Sequence, residues 1–115
     1  MLGWFTKHRR AGSSGRVGAP SVPLVLYSRP ACHLCDVMKE QLAGAHLPLA
    51  WHLVERNIDD DPALVERFGE SIPVLEIGGR VAFKGRLEAG GLERKFRRLA
   101  EAWLANADPG GGAGA

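Results

Sequence analysis

Long apolar runs are missing from this chain of 115 residues. The longest, Val22-Pro23-Leu24-Val25-Leu26-Tyr27, has the length of a strand, far below the roughly 20 residues that cross a bilayer as a helix. A strong charge of one sign is missing too: 15 Lys and Arg against 13 Asp and Glu leave +2 at pH 7, too little to mark a nucleic-acid protein. The basic cluster Lys7-His8-Arg9-Arg10 follows the apolar Trp4 and Phe5, and Gly and Ser come next where a leader would carry its apolar segment. We therefore expect no signal peptide, a cytoplasmic address, and neither a membrane nor a nucleic acid as partner. Cysteine is scarce, and 2 residues of it do not make a disulfide scaffold. Both lie in Cys32-His33-Leu34-Cys35, where a bridge closes so short a loop that it removes little entropy from the unfolded chain. Chemistry is the better reason for the pair.

What is present has the balance of an ordinary globular protein, with 45% apolar and 24% charged residues. Residues 1–20 are rich in Gly, Ser and basic side chains without periodicity and read as a mobile arm; residues 107–115 read as a disordered Gly/Ala tail. One domain is left, at residues 21–106. Val22 to Tyr27 reads as a buried strand, and Ser28 to Ala31 as a turn. From Cys32 to about Ala43, Leu34, Val37, Met38 and Leu42 recur at helical spacing, and Gly44 and Pro48 end the pattern. Trp51 to Ile58 gives a second strand, and Asp60-Asp61-Pro62 starts a short helix that stops at Gly69. Val74 to Ile77, Gly78-Gly79 and Arg80 to Phe83 make a hairpin. A final helix, from about Gly90 to Asn106, aligns Leu92, Phe96, Leu99 and Trp103, with Arg94, Lys95, Arg97 and Arg98 facing solvent. The order is β-α-β-α-β-β-α, an α/β fold with a mixed four-stranded sheet and helices on both faces.

A CxxC spacing also serves zinc and iron–sulfur sites. A structural zinc site needs four ligands, and the remaining histidines (His8, His46 and His52) are scattered, while His33 points away from the cysteines' face. The expectation is no metal. A CxxC that follows the first strand and opens a helix instead suits redox chemistry. Residues three apart on a helix lie on one face, close enough for a disulfide. The helix N-terminus favours a negative sulfur at Cys32, holding its pKa below the ordinary value of about 8.5. Arg29 and His33 add positive potential, and Asp36 opposes them. Cys35, one turn deeper, is placed to attack a mixed disulfide on Cys32.

Three stretches, Leu26 to Cys35, Asn57 to Pro62 and Ser71-Ile72-Pro73-Val74-Leu75, resemble the glutaredoxin-like branch of the thioredoxin superfamily over about residues 22–105. The resemblance implies a thioredoxin-like fold and a cis proline at Pro73, with the Ile72 backbone pairing with a bound peptide or thiol. From sequence alone Pro73 could equally open a strand in the trans form. The same resemblance makes Arg29, His33, Leu34, Ile72 and Pro73 substrate-binding residues, and Tyr27, Glu70, Lys84 and Glu88 neighbours of a glutathione site. The chain departs from the family in its His-Leu dipeptide, in Lys84-Gly85-Arg86-Leu87-Glu88 where glutaredoxins have Gly-Gly and an acidic pair, and in Glu70 where they often place a basic residue.

The reading that follows is a thiol–disulfide oxidoreductase with Cys32 as nucleophile and Cys35 as resolving thiol. No cofactor is expected to be tightly bound, and glutathione enters as a possible co-substrate. The expected partners are a disulfide-containing protein or small molecule and an upstream dithiol or flavoprotein reductase, with the chain itself a monomer. The alternative is a redox-inactive binding module whose cysteines hold a metal or iron–sulfur cluster between two chains.

Overall fold

A computed structural model of the chain describes residues 20–88 and 90–107. The arm and the tail expected at the two ends lie almost wholly outside the described residues, as do His8, Trp4 and Phe5. Strand β1 (Val22–Ser28) leads through a turn into helix α1 (His33–Ala43), and strand β2 (Trp51–Asn57) follows. A single 3-10 turn, Ile58–Asp60, precedes helix α2 (Pro62–Phe68). Strands β3 (Val74–Ile77) and β4 (Arg80–Lys84) form the hairpin, and helix α3 (Gly91–Ala107) closes the fold. The four strands lie in the order β2-β1-β3-β4. β1 is parallel to β2 and antiparallel to β3, and β3 is antiparallel to β4.

Alternation along β1 sends successive side chains to opposite faces. Val22, Leu24 and Leu26 join Met38 and Leu42 of α1, Leu75 and Ile77 of β3, and Phe96, Leu99 and Ala100 of α3 in the larger core. Tyr27 turns the other way, to Ile58, Leu64, Phe68 and Val74. Thus α1 and α3 cover one face and the short α2 the other, which places helices on both faces as expected. A bulge between Leu75 and Glu76 leaves Ala82 as an extra residue in β4.

The caps follow from the sequence. Asp61 accepts a bond from the Ala63 N–H at 2.9 Å, with Pro62 in the first turn. Asp61 alone caps; the preceding Asp60 belongs to the 3-10 turn, so the second strand ends at Asn57 and not at Ile58. Ser28 extends β1 by one residue beyond the expected end and is buried. Gly78 has φ of 60° and lies under Trp103, where an added Cβ would come within 2.9 Å of the Trp103 Cβ. The end of α3 is therefore seated on the hairpin turn. Among the described residues no helix is long and apolar enough to cross a membrane.

Candidate functional site

The chain leaves the C-terminal end of β1 through Arg29 and Pro30 and reverses at Ala31, whose φ of 62° is unusual for a residue with a side chain. That reversal puts Cys32 at the N-cap of α1. The Cys32 Sγ accepts a hydrogen bond from the Cys35 N–H at 3.1 Å, and the Cys32 carbonyl accepts from the Asp36 N–H at 3.1 Å. A sulfur thus occupies the place where a Ser or Asp oxygen usually caps a helix. Cys32 and Cys35 are joined by a disulfide with their Cα atoms 5.2 Å apart. Their environments differ: Cys32 is half-buried, whereas Cys35 retains 1% of its surface.

The site borrows its second wall from β3. The antiparallel register pairs Tyr27 with Val74, so the start of β3 lies beside the end of β1, and Ile72 and Pro73 come to the same end of the sheet as Cys32. The Ile72–Pro73 peptide bond is cis. Pro73 is buried, and its carbonyl accepts from the Gly85 N–H at 2.7 Å, which ties the loop after β4 to this end. Lys84 pairs in register with Val74 and is exposed. His33 is exposed, in keeping with its place on the outer side of α1.

One neighbour departs from the sequence reading, and others have partners that the sequence does not show. Leu34 was expected in the apolar stripe of α1, yet it is 52% exposed. In the first turn Cys35 takes the inward position, so Leu34 adds an apolar surface beside the cysteines. Arg29 is held by Asp59: both its Nε, at 3.2 Å, and its Nη2, at 2.9 Å, donate to the same Oδ1. Asp59 is in turn placed by the Asn57 Oδ1, which accepts its N–H at 2.8 Å. Glu70 and Glu88 are exposed, and among the described residues no hydrogen bond or ion pair joins them or Lys84 to the cysteine turn.

A polar network under α1 was not foreseen. The Ser28 hydroxyl donates to Glu55 Oε2 at 2.5 Å, and Lys39 Nζ lies 3.2 Å from Glu55 and 3.5 Å from Asp36. It joins β1, β2 and α1 and satisfies the buried Ser28 hydroxyl. The signal available in the sequence was Glu55 at an inward position of β2, where alternation from Trp51 and Leu53 calls for an apolar residue. On the opposite face Tyr27 packs on Phe68, with ring centroids 4.7 Å apart. Burial, and after it the Glu76 carboxylate, raises the Tyr27 phenol above its ordinary 10.0, while Arg56 acts in the other direction. Among the described residues there is no group of three or more His, Cys, Asp or Glu that could hold a metal.

The family model of the glutaredoxin-like domain (DUF836) matches residues 23–97. The chain belongs to this family. Among solved structures, the glutaredoxin-like chain is similar to a structural-genomics target protein from X. campestris, at 35% identity over 65% of this chain and 96% of that one, with a TM-score of 0.53. A protein from Nitrosomonas europaea shares the fold at 19% identity over 70% of this chain and 96% of that one, with a TM-score of 0.51. Buckwheat glutaredoxin in complex with glutathione is matched at 20% identity over 73% of this chain and 77% of that one, with a TM-score of 0.40. Membership in a glutaredoxin-like family and the CxxC pair together support a thiol redox role.

Proposed function

We propose that the protein is a thiol–disulfide oxidoreductase in which Cys32 attacks and Cys35 resolves. The observation that carries this reading is the asymmetry of the pair: a half-exposed sulfur that accepts a first-turn N–H, bonded to a buried one. Once the disulfide is reduced, the same N–H and the helix dipole favour the thiolate at Cys32. In the reductive direction the Cys32 thiolate attacks one sulfur of a partner disulfide, and the partner's other sulfur leaves as a thiolate. Cys35, losing its proton, then attacks Cys32 Sγ, expelling the partner's second thiolate and leaving the Cys32–Cys35 disulfide. Two electrons pass to the partner, and its two sulfurs take up protons from solvent and from Cys35. Leu34 and the Ile72–Pro73 backbone would receive the partner chain.

A dithiol protein or a flavoprotein reductase would return the electrons. Glutathione is the weaker donor in this reading, because a carboxylate seeking Arg29 must compete with Asp59 and because Glu70 repels it. The test is a pair of variants. Cys32→Ser should abolish reduction of any disulfide, whereas Cys35→Ser should retain attack and accumulate mixed disulfides visible by mass spectrometry. Faster alkylation of Cys35 than of Cys32 in the reduced protein near pH 7 would reverse the assignment.

A further inference from the structure

The face of α3 that would ordinarily be solvated closes a cleft. Arg94, Lys95 and Arg98 line it together with Phe83 of β4, Glu88 and Gly91, around a volume of about 420 Å³. Lys95 is fixed there: its Nζ donates to the Ala82 carbonyl at 2.9 Å and lies 5.0 Å from the centroid of the Phe83 ring. Arg97, one position away from the cleft, is paired with Glu93, but neither Arg94 nor Arg98 has a carboxylate partner among the described residues. The cleft therefore sets three cations against the single carboxylate of Glu88.

Its position matters more than its charge. Lys84 pairs with Val74 at the cysteine end of the sheet, and Gly78 lies under Trp103, so α3 starts at the cysteine end and runs away from it. Helix α1 does the same on the same face, and the two share one core. β4 lies two strands from β1 in the sheet, about 10 Å at the ordinary strand spacing, which places the cleft on the order of 10–20 Å from Cys32. Extended chain covers about 3.3–3.6 Å per residue, so a segment held at Cys32 reaches the cleft roughly 3–6 residues away. The opposite edge has the other sign: with Asp59 paired to Arg29, Asp60 and Glu70 still lie exposed around β2 and α2. The cysteine end is thus acidic toward β2 and basic toward β4.

We infer that the cleft between α3 and β4 is a docking groove for an acidic segment of the disulfide partner, lying a few residues from the partner's reactive cysteine. The groove selects partners by charge and aligns the segment across the cysteine end, with its acidic part toward β4. This inference rests on the thiol–disulfide reading above. Its test uses the fully reduced, full-length chain in single turnover with two synthetic peptides. Each carries an internal Cys-x-x-Cys disulfide, followed 3–6 residues later by either Glu-Glu-Glu or Gln-Gln-Gln, the spacing following from chain reach. At low salt the acidic peptide should react roughly tenfold faster, and the ratio should fall toward unity near 0.5 M salt, about what a few exposed charge pairs supply. In the double variant R94S/R98S the ratio should collapse at low salt, while Arg97→Ser, off the groove, should leave it intact. Equal rates for the two peptides at low salt, or a ratio unchanged in R94S/R98S, would overturn the groove and leave the redox reading standing. Failure of both peptides to oxidise the reduced chain would overturn both readings.

Discussion

Tyr27 is the only tyrosine in the sequence, so ultraviolet titration reads it alone. Its phenol is raised by burial and by Glu76, which means the folded chain holds that proton more tightly than the unfolded one. The unfolded chain then releases it first, and the stability contributed by the neutral phenol is present below about pH 10 and declines as pH climbs above it. The tyrosinate band of the folded protein should appear at higher pH than that of the denatured protein, and Glu76→Gln should bring the two closer. Coincident midpoints in folded and denatured protein would remove the burial argument. The same residue shows the limit of a sequence reading. Its place in a strand was legible from the apolar run, but its partners Phe68 and Glu76 come from other elements, and only the register of β1 with β3 brings Glu76 alongside. Arg29 is a parallel case: its position three before Cys32 is plain in the sequence, while Asp59, which engages it, lies thirty residues on.

At the scale of elements, all four strands and three helices were legible to within a residue or two, because their signals are local: alternation in β1, the Asp-Pro start of α2, the Gly-Gly turn. The hairpin turn carries a testable asymmetry. Gly78 and Gly79 both have positive φ, 60° and 86°, so alanine at either costs about 1–2 kcal/mol in backbone conformation. Only at Gly78 would the new Cβ meet Trp103, at 2.9 Å, and the Leu99 carbonyl oxygen, at 3.3 Å; at Gly79 nothing lies within 4 Å. Gly78→Ala should therefore lower the urea midpoint clearly more than Gly79→Ala. Equal losses would mean that the end of α3 does not rest on the turn. What stayed hidden at this scale is contact between elements distant in sequence. The Ser28–Glu55–Lys39 network and the cleft under Arg94 and Arg98 each need the sheet order, and a helix face read on its own looks merely solvated.

Across the whole molecule, one core joins residues from Val22 to Ala100. Phe96 is fully buried within it, and Phe96→Ala should cost about 3–5 kcal/mol, a large part of the roughly 5–15 kcal/mol that holds a small domain together. Val54, 41% exposed on the outer face of β2, should accept threonine within about 0.5 kcal/mol. A urea series on both variants measures the contrast, and comparable losses would contradict the division into core and surface. The strand order has a further consequence, in the time domain of synthesis. Strand β1 carries the cysteine turn and meets β2 early, but its other neighbour, β3, emerges from the ribosome only after α2, and Phe96 later still. At about 5–20 residues per second, both thiols exist for some seconds before the cis-proline wall, the hairpin and the last helix can close around them. During that interval Cys35 has no completed core to hide in, and the difference in burial between the two sulfurs begins only when the carboxy-terminal half arrives.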